Sequence, residues 1–385
     1  MPRKILLTSA KANMIWQFNK RNIQILESLG FQVHVATNFE KFGSMSSDEN
    51  KKLKKWMHEN GVIAHQVNYL RKLGSVSANL KSYRQLREII QTNHIDLIHA
   101  HSHMAGVIGR LAAHKEHIPA IYTPHGFYFF KGGPKKNWLI YPIEKFLSGY
   151  TDTLITIDKE EFEIASAKFR QKNIQYIPGV GVDVRGSLTI SDTYKAKSRS
   201  VLRKQLGLEE NDFAILSVGE LSKRKNHEVI LRAVAHLNNS KIQIFIAGVG
   251  PLKSYLEELA DKLNIRQQFH LLGYRNDLHE LHFATDLFVF PSLREGLGLA
   301  GLEALADGQR ILGSSAQGIK DYIDKDQKGF LFNPQDVNTL AMLIEKESQR
   351  HRRVAPQVIR KDDLIFDKQN VDDIMRHIYS SYIKQ

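Results

Sequence analysis

Between Pro291 and Gly308 the chain reads PSLREGLGLAGLEALADG, with Glu295 and Glu303 set among Gly296 and Gly298. Glycine allows left-handed backbone and close approach of the main chain to a ligand. The amides that open a helix have no internal acceptors and favour an anion, so the helix read over residues 300–307 could receive a diphosphate. A carboxylate in the first turn of that helix, where Glu303 is placed, repels phosphate. It makes sense if it grips hydroxyls, as an acid does on the ribose in dinucleotide sites. Glu295 could hold sugar hydroxyls in the same way. Upstream, SVGELSKRKN (Ser217–Asn226) follows a strand and carries Lys223, Arg224 and Lys225. His125 follows the strand IYT in TPHG, beside Gly126. Taken singly, each feature has an ordinary explanation: dipole compensation for Glu303, a solvated face for Lys223–Lys225, a structural role for a lone histidine.

Other chemistries are excluded or disfavoured. The sequence has no cysteine, which removes disulfides, thiolate nucleophiles and Cys-ligated zinc. His99, His101 and His103 alternate along and just beyond IDLIHAHSH, a spacing that puts them on one side of a strand and could bind metal. No D-x-D triplet lies in a loop suited to a metal-dependent transferase, so no metal and no cofactor is expected. The apolar run Ile5–Leu7 is too short for a signal peptide or a membrane span, and a cytoplasmic protein is expected.

Something must position these groups, and the chain alternates strand-like and helix-like segments throughout. In the first half strands are read at residues 4–8, 31–36, 63–67, 95–100, 118–123 and 153–156. Helices are read at 16–29, 48–60 and 79–92. Residues 179–200 are polar and Gly-rich and read as a linker. A second series follows, with strands at 213–218, 242–247, 269–271, 287–291 and 310–313. Its helices are placed at 226–237, 252–263, 277–284 and 300–307, and a last helix at 371–383. Such alternation implies parallel sheets covered by helices on both faces. With 385 residues, two doubly wound α/β domains are expected, with ligands at the strand ends. The net charge of +13 is uneven: residues 1–180 hold 25 Lys and Arg against 14 Asp and Glu. An anionic partner for the first half is one reading and a solubility charge the other. Gly126–Leu147, GFYFFKGGPKKNWLIYPIEKFL, mixes aromatics with lysines and suits either a core or an interfacial surface.

The paired glutamates in their glycine setting resemble the E-x7-E motif of family 4 glycosyltransferases, and the resemblance spans nearly the whole chain. It implies a GT-B fold of two Rossmann-like domains facing across a cleft. Residues 1–180, joined by a C-terminal helix of about 366–385, would bind the acceptor, and residues 181–365 the nucleotide-sugar donor. It further implies Glu295 on the donor sugar and Glu303 on the ribose. Ser217–Asn226 resembles the family's VGRL-x3-KG element, so Lys225 would neutralise the diphosphate. Glu220 stands where the arginine usually is and Asn226 where glycine is, leaving one cation missing unless Arg224 or Lys223 turns inward. AGVGP (Ala247–Pro251) is similar to the turn lining the nucleotide cleft, and LGYR (Leu272–Arg275) to the stretch beside the base. PHG puts His125 at the donor sugar.

Catalytic roles are thus expected for His125, Lys225 and Glu295. Donor contacts are expected from Gly219, Arg224, Lys225, Gly250, Pro251, Tyr274, Arg275, Glu295, Gly296, Gly298, Leu299 and Glu303. Acceptor contacts are expected from Trp16, Phe18, His101 and His103. The implied activity is retaining transfer of a hexose or N-acetylhexosamine from a UDP-sugar to a glycan or polyprenyl-diphosphate-linked acceptor in capsule or exopolysaccharide assembly. It would proceed without metal, with peripheral contact to an anionic membrane at its inner face and no nucleic-acid partner. The alternatives are an inactive sugar-nucleotide binder or scaffold, to which Glu220 gives weight, a sugar-nucleotide epimerase of similar fold, and a nucleic-acid binder prompted by charge alone.

Overall fold

A computed structural model describes residues 2–70, 76–323, 328–351 and 361–383. The chain folds as two compact units, Met1–Val180 with Gln369–Gln385, and Gly181–Lys368.

The first unit runs β1 (Lys4–Ser9), α1 (Ala12–Phe18), α2 (Lys20–Ser28), β2 (Gln32–Thr37), α3 (Ser47–Glu59), β3 (Ile63–Gln66) and α4 (Val76–Asn93). It continues through β4 (Leu97–His101), α5 (His103–Lys115), β5 (Ala120–Thr123), α6 (Tyr141–Leu147), β6 (Thr153–Thr156), α7 (Lys159–Lys168) and β7 (Asn173–Tyr176). Its seven strands are parallel in the order β3-β2-β1-β4-β5-β6-β7. The central strands are short apolar runs because helices cover both faces. All of β4 and β5 is buried, and so is all of β1 beyond Lys4.

Two expectations fail here for local reasons. The helix read over 16–29 is two helices, broken at Asn19, whose side-chain amide donates to the Met14 carbonyl and accepts from Asn22. Side-chain bonding of this kind competes with the helical ladder. His103 is not on the strand with His99 and His101: after Ser102 at φ 69° it opens α5. The edge strand β7, NIQY, was not legible, since it has neither an apolar run nor burial on both faces.

The second unit runs α8 (Val184–Thr189), α9 (Asp192–Gln205), β8 (Phe213–Val218), α10 (Glu228–Leu237), β9 (Ile242–Ala247), α11 (Lys253–Lys262) and β10 (Phe269–Gly273). There follow α12 (Leu278–Ala284), β11 (Leu287–Phe290), α13 (Leu299–Ala306), β12 (Ile311–Ser314), β13 (Gly329–Phe332) and α14 (Val337–His351). Its six strands are parallel in the order β10-β9-β8-β11-β12-β13. The supposed linker at 179–200 folds as helix. Asp183 caps α8 by accepting from the Gly186 amide at 3.0 Å, and Ser191 caps α9 by accepting from Tyr194 at 3.2 Å. Arg199 and Arg203 of α9 reach Asp286, whose carboxylate is fully buried, so tertiary ion pairs stabilise a helix that its polar composition disguises.

A last helix, α15 (Lys368–Ser380), begins as the chain re-enters the first unit. Val371, Met375, Ile378 and Tyr379 recur at helical spacing and are buried in the first unit's core beside Ile5, Ile23 and Met57. The outgoing and returning chains run side by side in the second unit, with Val182 N donating to Phe366 O at 2.9 Å and Lys368 N to Val182 O at 2.8 Å.

Candidate active site

In each sheet the strand order reverses direction once, between β1 and β4 and between β8 and β11. Ligands of doubly wound sheets bind where loops diverge at that point. In the second unit, β8 leads into residues 219–227 and β11 into residues 291–298, and because β8 and β11 are neighbours these loops meet. Leu293 N donates to Arg224 O at 2.8 Å, and Asn226 Nδ2 donates to Pro291 O and Pro334 O at 3.2 and 2.8 Å. Asn226 has φ 55°, which accounts for asparagine where the family pattern has glycine: it is among the few other residues that tolerate the left-handed region.

The cluster at this junction is compact. Arg224 Nη1 donates to both carboxylate oxygens of Glu295 at 2.8 Å, and Lys225 Nζ donates to Oε1 of the same carboxylate. Lys225 also lies 4.8 Å from the centre of the Phe290 ring. Burial would raise the Glu295 carboxyl, but Lys225 and then Arg224 hold it below the usual carboxylate range. Three charges thus sum to +1, with a second cation supplied by Arg224. Glu220, at the position of the expected arginine, is exposed.

Glycines shape the surroundings. Gly298 has φ 84°, and a Cβ there would lie 2.4 Å from Phe290 Cε1. It caps α13 without a side-chain hydrogen bond, so the opening amides of that helix are free of a side-chain acceptor. A Cβ on Gly248 would lie 1.9 Å from Gly219 O, and one on Gly250 2.5 Å from Leu221 O, so the 219–221 and 248–250 turns pack backbone on backbone. Gly248 N donates to Gly273 O at 2.7 Å, tying in a third strand end. A cavity of about 790 Å³ opens against these turns, lined by Leu221, Gly248, Gly250, Lys253, Leu271 and Gly273. Pro251 and Tyr274 are exposed and do not line this cavity, whereas Arg275 is engaged as a bidentate partner of Asp277.

Glu303 is the fifth residue of α13, one position later than expected, because the helix starts at Leu299. Burial pushes its carboxyl up, and Asp307 adds to the effect. Asp307, four residues on, is buried and accepts from Ser187 Oγ at 2.8 Å. It also bonds Nδ1 of His279 at 2.8 Å and Nδ1 of His282 at 2.6 Å. No sequence signal pointed to this cluster, since its members come from three helices.

In the first unit, His125 at the end of β5 and His101 at the end of β4 face one another, Nε2 to Nδ1, at 3.0 Å. Phe18 lies beside them, its ring 5.9 Å from that of His125. His101 is only 1% exposed, so it supports His125 from beneath rather than lining an acceptor surface. His103 packs on Tyr128 at 4.0 Å. Trp16 and Phe18, with Lys20 and Trp56, line a separate cavity of about 400 Å³, where the Lys20 ammonium lies 4.3 Å from the Trp16 ring and 5.1 Å from that of Trp56. Sequence reasoning missed Glu161, which accepts from the Phe127 amide and pins the loop after His125. No cluster of three or more histidines and acids that could hold a metal ion occurs among the described residues.

Two Rossmann-like parallel-sheet units, the second with cations and a carboxylate gathered at its switch point, define a GT-B glycosyltransferase. The glycosyl transferases group 1 family matches residues 198–378 and glycosyltransferase family 4 matches residues 22–184. EpsD of Bacillus subtilis (strain 168), which carries a glycosyltransferase name, is 32% identical over 100% of this chain and 98% of its own length. The Escherichia coli UDP-Gal:alpha-D-GlcNAc-diphosphoundecaprenol alpha-1,3-galactosyltransferase is 30% identical over 69% of each chain. Among solved structures, Anabaena HepE in complex with UDP-glucose shares the fold with a TM-score of 0.74, at 20% identity over 98% of this chain and 99% of that one. The chain belongs to family 4 of the glycosyltransferases.

Proposed function

We propose that this enzyme transfers a hexose or N-acetylhexosamine from a UDP-sugar, with retention of anomeric configuration, to a polyprenyl-diphosphate-linked glycan during cell-surface polysaccharide synthesis. The observation that carries the reading is the Arg224–Lys225–Glu295 cluster beside the uncapped start of α13. Before donor binds, Glu295 occupies both cations. A diphosphate carries more charge and displaces it, leaving the two cations and the helix amides on the leaving group and the carboxylate free for sugar hydroxyls. The acceptor hydroxyl oxygen bonds to the anomeric carbon on the face from which the diphosphate departs, and its proton passes to the departing phosphate oxygen. This needs no metal, since Lys225 and Arg224 supply the positive charge. The Gly248–Gly250 turn and Tyr274 fit the base side, and Glu303 the ribose. Two cations in place also favour an active enzyme over an inactive binder. The UDP and polyprenyl assignments draw on the E. coli relative's name and the UDP-glucose bound by Anabaena HepE.

The reading includes peripheral contact with an anionic membrane on the cytoplasmic side. No helix of the described residues is long and apolar enough to cross a bilayer. The segment from Lys135 to Leu147 is helical; it turns Trp138 and Tyr141 inward to Phe129 and buries Leu147. Its other face presents Leu139 (75% exposed), Ile143 and Phe146 (61% exposed), rimmed by Lys135, Lys136 and Lys145. Apolar side chains with a lysine rim suit an anionic interface.

Turnover with a panel of nucleotide sugars and a polyprenyl-diphosphate glycan tests the assignment. Transfer from one UDP-sugar with an α-linked donor giving an α-linked product is expected. An inverted product, or activity only with another nucleotide, overturns it. Co-sedimentation with vesicles should require anionic lipid and fall on Phe146→Ser.

A further inference from the structure

His125 stands on costly backbone. Its φ of 60° and that of 106° at Gly126 put two consecutive residues in the left-handed region. Side chains from two elements hold it there. Glu161 accepts from the Phe127 amide, and Asp158 Oδ1 accepts from the Glu161 amide at 2.8 Å. His101 meets the His125 ring from the neighbouring strand at 3.0 Å. Burial, with His103 nearby, lowers His125 to about 4, and burial with His99 and His125 holds His101 well below its ordinary value, so both rings are neutral near pH 7. A neutral imidazole carries one proton, so only one of the two facing nitrogens can donate.

The far side of His101 decides which. Its Nε2 is buried and has no hydrogen-bond partner. A proton there would leave a buried N–H orphaned, the rarer and costlier defect, while Nδ1 accepted from His125. With the proton on Nδ1, only a lone pair goes unused and the N–H is satisfied by His125 Nε2. His101 has no freedom to turn away, because the His99 ring lies 3.9 Å from it and is itself fixed at both nitrogens, by the Tyr379 hydroxyl at 2.8 Å and Thr123 Oγ1 at 2.9 Å. We propose that His101 is a positioning residue: by donating from Nδ1 to Nε2 of His125 it holds His125 as the Nδ1–H tautomer, so that the ring presents this N–H, rather than a lone pair, to what it contacts. The assignment rests on the reading of His125 as a sugar contact. The tautomer of a histidine is set by the bond its other nitrogen makes, and the wrong one disables a site whose geometry is otherwise intact.

Histidine-selective 15N labelling of the full chain, read through two-bond proton–nitrogen correlations, reports which nitrogen of His125 is protonated. Protonated Nδ1 with bare Nε2 is expected in the parent, and the reverse pattern overturns the proposal without any variant having to fold. His101→Phe keeps a ring and removes the donor. It should move the His125 proton to Nε2 and lower kcat at least about tenfold. Donor KM should stay within about twofold, as uniform binding is untouched. His101→Asn, whose amide can donate to the same nitrogen, should restore the tautomer and much of kcat. An unchanged kcat in His101→Phe sinks the idea. His125→Ala separates the two levels: if it transfers sugar at the parent rate, the sugar-contact reading of His125 is wrong whatever the tautomer.

Discussion

Replacing Glu295 by glutamine should weaken the free protein and strengthen its grip on UDP. The side chain is 10% exposed and accepts from Arg224 at 2.8 Å and from Lys225, which is 12% exposed. Glutamine keeps the shape and removes the charge, leaving two cations facing one another in a half-dry pocket. Breaking a buried pair by removing one partner costs about 3–5 kcal/mol. Arg224 is 40% exposed, so water recovers part of this. About 2 kcal/mol is then expected, or roughly 4–8 °C on the transition of the second unit. The diphosphate no longer has to displace a carboxylate. If that competition amounts to one charge-assisted hydrogen bond, about 1.5 kcal/mol, UDP binds about tenfold more tightly. Sugar transfer should nonetheless fall at least about a hundredfold, because the group that takes the sugar hydroxyls has lost its charge. Calorimetry with UDP, melting with and without UDP, and single-turnover transfer together read the three effects. Should Glu295→Gln weaken UDP binding, the carboxylate is not a competitor for the cations and the displacement step is wrong.

Lys225→Ala should move UDP affinity the opposite way, weakening it about 10- to 100-fold by calorimetry, as for loss of a charge-assisted bond. Gly298→Ala introduces a Cβ 2.4 Å from Phe290 at φ 84°, and should cost about 2 kcal/mol or more of stability and abolish the UDP-induced rise in melting temperature. Arg110 and Glu144 form an ion pair at 2.7 Å, each 1% exposed. Arg110→Ala should therefore cost about 3–5 kcal/mol, whereas Arg110→Met with Glu144→Leu should recover most of it, as denaturant melts of both variants would show. Burial lowers His99 to about 3, and burial with His103 lowers His125 to about 4. Both are neutral when folded and protonate near 6.5 when unfolded, so their stabilisation is full above pH 6.5 and is lost as pH falls toward 4. Melting temperature of the first unit should fall across that window, and His99→Asn should reduce the dependence by about one proton, or about 1.4 kcal/mol per pH unit.

Much of the fold was legible because buried parallel strands read as short apolar runs. Residues 213–218, 242–247 and 153–156 are strands with the bounds the sequence suggests. Legibility failed where tertiary contacts outweigh local pattern. Helix α9 is polar along most of its length and is held by ion pairs to Asp286, eighty-odd residues away. The break at Asn19 depends on one side chain bonding back to the Met14 carbonyl. The start of α13 was misplaced by one residue, moving Glu303 from fourth to fifth position, because the helix start depends on Gly298 being left-handed, which sequence cannot time to the residue.

By itself the amino-acid sequence determined that there are two α/β units and which loops carry carboxylates, cations and glycines, since hydrophobic period and glycine placement are local properties. It also marked Lys225 and Glu295 as partners in one chemistry through their motifs. Only the tertiary structure decided that Arg224 joins them while Glu220 faces solvent, that His101 meets His125, that Glu161 pins the loop after His125, and that Asp307 gathers Ser187, His279 and His282. Those outcomes follow from strand order. Neighbouring strands β8 and β11, and likewise β4 and β5, bring together side chains distant along the chain, and no local pattern encodes which strands will be neighbours.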